Sequence, residues 1–520
     1  MNVVVTSFVV YTAGIVLLGL YSARFARRSD EDFFLAGRSL GPWVGALSAS
    51  ASSESGWVTL GLVGWAYANG VAAYWIIPGC LLGYLFNWFV VAGPMSDRAK
   101  ALRALTLPDF FASHFRERTP ILRVLSVLVI LSAMLLYVAA QLAAAGKAFS
   151  VAFGQLNYSQ GVLIGAGIVL LYTVSGGFRA VCWTDFLQAL LMVGCLVIFP
   201  AFLLISHGGY GFIVEQLNTA VPEDGASGDL LRFIPNMAGP ALFGFLLGHG
   251  ALGINFGYPG QPHVLVRFLA LKDRKSAYIA GIVAFVWGLL VYWGAVTVGL
   301  FARAMAESGQ TWTRAIAEDA DVGLVVSAIN LLPGVLSGLV LAAVLAAICS
   351  TADSQLVVAA SAGANDLYAR LARKSRGGNH PWVNRFFVIG LGLVAVLLVF
   401  ETRVKVYEYV LTYGWALLGA SFGPQVILLL LWRRASYAGC VAGMITGFGT
   451  ALLWKAVENN MFYGVEVYNL TLGFVVALIV NIIVSLSFPD GLDGSTGVAA
   501  TTVDSEPTSP ATGAGPSEVG

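Results

Sequence analysis

Apolar runs of about 20 residues recur from one end of this chain almost to the other, and that recurrence decides which solvent it can fold in. A helix of roughly 17–25 apolar residues spans the hydrocarbon core of a bilayer. Thirteen such stretches are expected, near 4–22, 41–68, 72–94, 121–145, 159–177, 183–206, 238–262, 276–302, 335–366, 383–400, 408–431, 438–456 and 467–487. Counted with glycine and without tyrosine, apolar residues make up about 66% of the chain, against roughly 45–50% in soluble domains. Charged residues are 11%, less than half the usual ~25%. The lipid bilayer is therefore the chain's main partner, and the fold class is all-α integral membrane.

The formal net charge of +1 gives no basic surplus for nucleic acid. Cys80, Cys182, Cys195, Cys349 and Cys440 are scattered in apolar surroundings without paired spacing, and read as small buried hydrophobes. The apolar run that starts the chain lacks a preceding basic region and a small-residue cleavage site, so it reads as a retained span. Roughly three quarters of the Lys and Arg fall in alternate connecting segments. Basic residues favour cytoplasmic loops, which places the N-terminus outside and the C-terminus in the cytoplasm of a multi-pass protein of the plasma membrane, the inner membrane if the source is bacterial.

Residues 1–487 form the transmembrane domain, and 488–520, rich in Gly, Ser, Thr and Pro, is expected to be a disordered cytoplasmic tail. Segments 207–237 and 303–334 are the longest pieces outside lipid, and TRAIAEDADVGLVVSAINLL in the second is expected to form a short amphipathic helix. No segment is long enough for a soluble catalytic domain. With no HExxH and no Ser/His/Asp set among five His, an enzyme is not expected, nor a cofactor or an obligate protein partner.

Polar groups inside a span are expensive, so each cluster of them is a functional hypothesis. In the second span, Ser48 to Gly56 holds five Ser, two Ala, Glu54 and Gly56. Such a stretch supports a helix poorly, and a break would free carbonyls for an ion; the alternative is a small-residue packing stripe, which would not need Glu54. The seventh span, GHGALGINFGYPGQPH, is dense in Gly with Pro259 and Pro262, and reads as a second broken helix, with Tyr258 offering a ring and a hydroxyl. Two interrupted spans five apart are the sign of an inverted-repeat transporter, with spans 2–6 (about 41–206) and 7–11 (about 238–431) as its halves. In the ninth span Ser350 and Ser354 share a helical face, with Thr351 and Asp353 beside them. Hydroxyls and a carboxylate are the hard oxygens an alkali cation takes, although Ser and Thr can also bond back to their own helix. Asp185, at the start of the sixth span, fits a helix-dipole role or an ion path equally well.

DFFLAGRSLGPWVGALSASASSESGW, GGFRAVCWTDFLQA, GYPGQPHVLVRFLA, LAAICSTADSQL and GASFGPQVILLLLW, in this order, resemble the motifs of the sodium/solute symporter family, nearest to its proline-importing branch. The resemblance covers roughly 1–485. It implies a LeuT-type core of ten helices with one helix before it and two after, and import of a small organic solute, proline first, by alternating access with sodium as the coupling ion and only metal. It also implies a principal sodium site from Ala51, Glu54 and Ala347 through main-chain carbonyls and from Ser350 and Thr351 through hydroxyls. A second cation site would fall on Asp185, Ser350, Asp353 and Ser354. Solute positions would be Ser53, Ser55, Gly56, Tyr137, Ile254 and Tyr258, with Gln141 one turn beyond Tyr137. The chain departs from that branch at Ser53, where the branch has Asp, at Ile254, where it has Trp, and at Asp353, where it has Ser. Another amino acid or a monocarboxylate is the alternative solute, and a membrane sensor built on a transporter fold the alternative class.

Overall fold

The computed structural model describes residues 3–22, 30–117, 119–174, 177–218, 230–234, 239–368, 381–457, 461–462 and 465–490. Among them, nine helical runs are long and apolar enough to cross a membrane, and Val3–Leu18, Tyr158–Leu171 and Ala320–Leu331 are shorter apolar helices. The expected runs sit on helices Val3–Ser22, Ile121–Ala152, Tyr158–Thr173, Phe178–Ser206, Arg274–Glu307, Gly334–Ser361, Pro381–Val399, Ala416–Leu431, Tyr437–Ala456 and Asn469–Ser487. Strand among the described residues is confined to a short antiparallel ladder pairing Met461–Phe462 with Val465–Glu466. Most of the expected tail lies outside the described residues.

The second span breaks where the serine run ends. Helix Pro42–Ser53 stops at Glu54, whose φ of −98° and ψ of 82° leave the helical region. The chain resumes through a π-helical turn, Trp57–Leu62, and helix Val63–Asn69, and then turns a corner at Gly70, where φ is +64°. A Cβ there would meet the Leu230 carbonyl oxygen at 2.2 Å, so only glycine serves. Backbone freed by the break must find partners, because there is no water in lipid to satisfy it. The Trp57 indole donates to the Ser53 carbonyl at 3.0 Å, and Gln141 accepts from the Gly56 N–H at 3.0 Å while donating to the Ser55 hydroxyl at 3.1 Å.

The seventh span is likewise discontinuous, and longer than expected. Helix Pro240–Leu246 gives way to turns, a 3-10 stretch Leu252–Gly260, and helix Pro262–Ala270. Side chains again replace the lost ladder: Trp415 donates to the Ile254 carbonyl at 3.1 Å, Asn87 to that of Tyr258 at 2.8 Å, and Gln261 to those of Gly257 and Trp415 at 3.1 Å each.

Helix Pro42–Ser53 sits in the middle of the molecule, packed against Phe178–Ser206, Arg274–Glu307, Gly334–Ser361 and Pro262–Ala270. Polarity is arranged inside out: Ser48, Ser52, Glu54, Asp185 and Arg267 are buried, while Ile198, Ile205 and Leu397 are exposed on the helix exteriors. That is the pattern of a chain whose outer solvent is apolar. The five cysteines are free, four of them buried and Cys195 half-buried.

The amphipathic helix expected within 313–332 is split. Helix Arg314–Glu318 ends at Asp319, followed by the 3-10 turn Ala320–Val322 and helix Gly323–Leu331. Asp319 accepts from the Asp321 N–H and pairs with Lys147 at 2.9 Å, a tertiary contact that competes with continuing the helix.

Candidate ion and solute site

The first break faces the middle of helix Gly334–Ser361. There the Ser350 hydroxyl donates to the Ala51 carbonyl at 2.9 Å and to that of Ala347 at 3.2 Å, while Thr351 donates to the carbonyls of Ala51 at 3.3 Å and Ser52 at 3.1 Å. The five residues expected here, Ala51, Glu54, Ala347, Ser350 and Thr351, are all fully buried. Each hydroxyl oxygen retains lone pairs, so the cluster offers five hard oxygens without a fixed charge, a set suited to a monovalent cation. Glu54 ends the helix beside this cluster, its N–H bonded to the Ser50 carbonyl at 2.8 Å.

The residues expected to form a second cation site divide. Asp185 is the eighth residue of its helix, not a first-turn acid, which removes the dipole reading. Its Oδ2 accepts from Ser48 at 2.7 Å, from Ser52 at 3.2 Å and from the Arg267 Nη2 at 2.9 Å. Arg267 also donates to Ser354 at 2.6 Å, Ser52 at 2.8 Å, Ser48 at 3.1 Å and the His263 carbonyl, and its guanidinium lies 5.1 Å from the centre of the Phe178 ring. Asp185 and Ser354 thus meet around a protein cation, whereas Ser350 belongs to the Ala51 cluster. Asp353, on the same helix, is equally buried. Sorted by loops, Arg267 counts as a cytoplasmic charge; in the structure it is fully buried.

The solute positions fall into two groups. Ser55, Gly56 and Gln141 form the hydrogen-bonded bracket across the break. Ser53 and Tyr258 converge on the Glu54 side chain, whose Oε1 accepts from Ser53 at 2.7 Å, Tyr84 at 3.1 Å and Tyr258 at 3.3 Å. Tyr258 also shares a 2.9 Å bond with the Tyr292 hydroxyl and meets Trp415 edge-on at 4.7 Å. Tyr137 is fully buried, its ring 5.9 Å from that of His263, and Ile254 engages Trp415 through its carbonyl. Tyr84, Tyr292 and Trp415 were not foreseen, because each sits alone in an otherwise apolar run.

The sodium:solute symporter family model matches residues 33–447. The chain belongs to that family. It is 36% identical to the sodium/proline symporter of Escherichia coli over 92% of both chains, and 32% identical to the osmoregulated proline transporter OpuE of Bacillus subtilis over 93% of this chain and 94% of that one. Among solved structures, a Na+-coupled sialic acid symporter in a substrate-bound outward-open state superimposes with a TM-score of 0.72 at 18% identity, covering 95% of this chain and 100% of the other. The shared fold is that of a helical membrane transporter.

Two charged networks sit at opposite ends of helix Ile121–Ala152. Arg123 pairs with Asp109 at 2.7 Å and with Asp366, which also accepts from Thr106. Lys147 pairs with Asp319 and, at 2.6 Å, with Asp321, which accepts from the Val406 N–H. Twenty-four residues of helix place them about 36 Å apart. Each ties the helix to distant chain, Arg123 to residue 366 and Lys147 to residues 319–321.

Proposed function

We propose that the chain is a sodium-coupled symporter importing a small organic solute, with proline the first candidate, by alternating access. The observation that carries the reading is the buried cluster of Ala51, Ser52 and Ala347 carbonyls with the Ser350 and Thr351 hydroxyls at a broken helix. Sodium bound there from outside would draw on the carbonyls of Ala51, Glu54 and Ala347 and the two hydroxyls, pinning the break so that Ser53, Ser55, Gly56, Tyr137, Gln141, Ile254 and Tyr258 can hold solute. Family membership and the proline transporters among the relatives support the same conclusion.

The architecture we propose is thirteen membrane helices, with a LeuT-type 5+5 core over about 41–206 and 238–431, one helix before it and two after. The N-terminus is outside and the C-terminus cytoplasmic. Rocking of one helix bundle against the other would alternate access to the site. One sodium ion moving down ~100 mV and a tenfold gradient supplies ~2.3 and ~1.4 kcal/mol, enough for a solute gradient of several hundredfold. The test is uptake of labelled proline into proteoliposomes with and without an inward sodium gradient. Sodium-driven accumulation is expected; uptake indifferent to sodium would refute the coupling, and sodium-driven uptake of other solutes alone would refute proline.

A further inference from the structure

We infer that Glu54 is the recognition group for a positively charged nitrogen on the solute, so that the transported class is amine-bearing, zwitterions included, and simple monocarboxylates are excluded. The inference rests on the symport reading above and narrows its substrate.

Glu54 is fully buried, yet it forms no ion pair among the described residues, unlike Asp185 with Arg267 and Asp366 with Arg123. Its two oxygens are unequally used. Three hydroxyls, from Ser53, Tyr84 and Tyr258, donate to Oε1, while Oε2 has no hydrogen-bond partner among the described residues. Hydroxyl donors stabilise the ionised carboxylate, but a carboxylate in an apolar interior still needs a counter-cation or a proton. The protein therefore holds this acid ready on one side and unsatisfied on the other.

The surroundings choose among cations. The rings of Tyr84 and Tyr258 meet at 5.2 Å, Tyr84 and Tyr292 at 6.4 Å, Tyr258 and Trp415 at 4.7 Å, and Trp57 and Tyr292 at 6.2 Å, so that aromatic side chains interlock beside the acid. An alkali ion takes several oxygen ligands, which the neighbouring Ala51, Ser350 and Thr351 cluster supplies. An alkylammonium takes one or two acceptors and gains from aromatic faces. A monocarboxylate would bring a second negative charge to a buried one. Glu54 follows Ser53 directly and lies two residues before Gly56, in the break itself, so its cation would sit within reach of the bracket that Gln141 makes with Ser55 and Gly56.

The experiment measures binding by thermal shift of the full-length protein in detergent, with sodium present, for L-proline, L-alanine, glycine betaine, L-lactate and tetrahydrofuran-2-carboxylate. The last is proline with the ring nitrogen replaced by oxygen. At least one amine-bearing compound is expected to bind, and lactate and the oxygen analogue not to. Glu54→Gln should weaken the amine compound by about tenfold to a hundredfold, while the sodium concentration giving half-maximal stabilisation stays within about threefold. Binding of lactate, equal binding of proline and its oxygen analogue, no binding of any amine, or an unchanged affinity in Glu54→Gln each overturns the inference; the last would mean that the acid is held neutral, which Gln mimics. If Glu54→Gln does not fold, the comparison of proline with its oxygen analogue on the unaltered protein decides alone. Sodium-independent uptake in proteoliposomes would sink the symport reading separately, since the ligand panel does not depend on coupling.

Discussion

The Arg267 guanidinium lies 2.9 Å from Asp185 Oδ2, with both side chains fully buried and Ser48, Ser52 and Ser354 bonded around them. A permanent cation, always protonated, holds the acid that would otherwise offer itself to a second metal ion. Ser52 joins this pair to the other cluster, because its hydroxyl bonds Asp185 and its carbonyl accepts from Thr351. The proposed sodium site then rests on the Ala51 cluster alone, and sodium activation of uptake should be hyperbolic with a Hill coefficient of about 1. A coefficient near 2 in proteoliposomes would show that a second ion binds and would overturn this reading.

The same pair makes a stability prediction. Removing one partner leaves an uncompensated buried charge, at a cost of ~3–5 kcal/mol. Arg267→Gln alone should lower the unfolding free energy by about that amount, and Arg267→Gln with Asp185→Asn should recover more than half of it. Additive losses in thermal or denaturant unfolding would contradict a direct pairing.

Ser350→Ala with Thr351→Ala removes both hydroxyls but none of the carbonyls at the break. Each lost neutral hydrogen bond is worth ~1 kcal/mol to the fold, whereas a sodium ion loses two of its ligands. The sodium concentration for half-maximal uptake should rise at least about tenfold while the protein still folds and inserts. Unchanged sodium dependence at normal protein levels would place the ion elsewhere.

The features legible in the sequence were those written in local chemistry. The break at Glu54 was signalled by consecutive Ser and Gly, and the break at 247–261 by Gly and Pro, because these residues fail as helix formers whatever surrounds them. Ser350 and Thr351 were legible because adjacent hydroxyls in an apolar span are costly without a purpose. What stayed hidden was supplied by tertiary contact. Arg267 looked like one more loop cation until helix Pro262–Ala270 folded it beside Ser48 and Ser52, and Asp185 fitted a helix-dipole role and an ion path equally until that arginine reached it. Tyr84 and Tyr292 carried no pattern at all, since a lone tyrosine in an apolar run gains meaning only from the carboxyl it meets. The split at Asp319 was equally invisible, as it depends on Lys147 from a distant helix.

Gly257 tests how tightly the second break is clamped. A Cβ at this position would fall 1.9 Å from the Trp415 indole nitrogen, the group that bonds the Ile254 carbonyl. Gly257→Ala must therefore displace Trp415 and unbind that carbonyl, a combination of overpacking and an unsatisfied buried acceptor costing ~2–5 kcal/mol. Trp415→Phe alone should cost less, and in the Gly257→Ala background it should restore part of the loss by removing the nearest clashing atom, the indole nitrogen. A double-mutant cycle by thermal unfolding measures the coupling; independent effects would show that the glycine is required for some other reason.

The two charged networks on helix Ile121–Ala152 differ in how they are buried, and that difference predicts different outcomes. Arg123 is held between Asp109 and Asp366, with little exposure on any of the three side chains. Arg123→Met strands two acids in the interior and should cost ~3–5 kcal/mol. Lys147 pairs with Asp321, nearly as buried, but also with Asp319, whose side chain is 29% exposed. Water can solvate that acid once the lysine is gone, so Lys147→Met should cost less, about 1–3 kcal/mol. Because Lys147 ties its helix to residues 319–321 at one end only, its loss should also change the uptake rate more than the affinity for solute. Equal destabilisation by the two variants would mean that burial does not set the strength of these ties, and a change confined to affinity would remove Lys147 from any step in which that end of the helix moves.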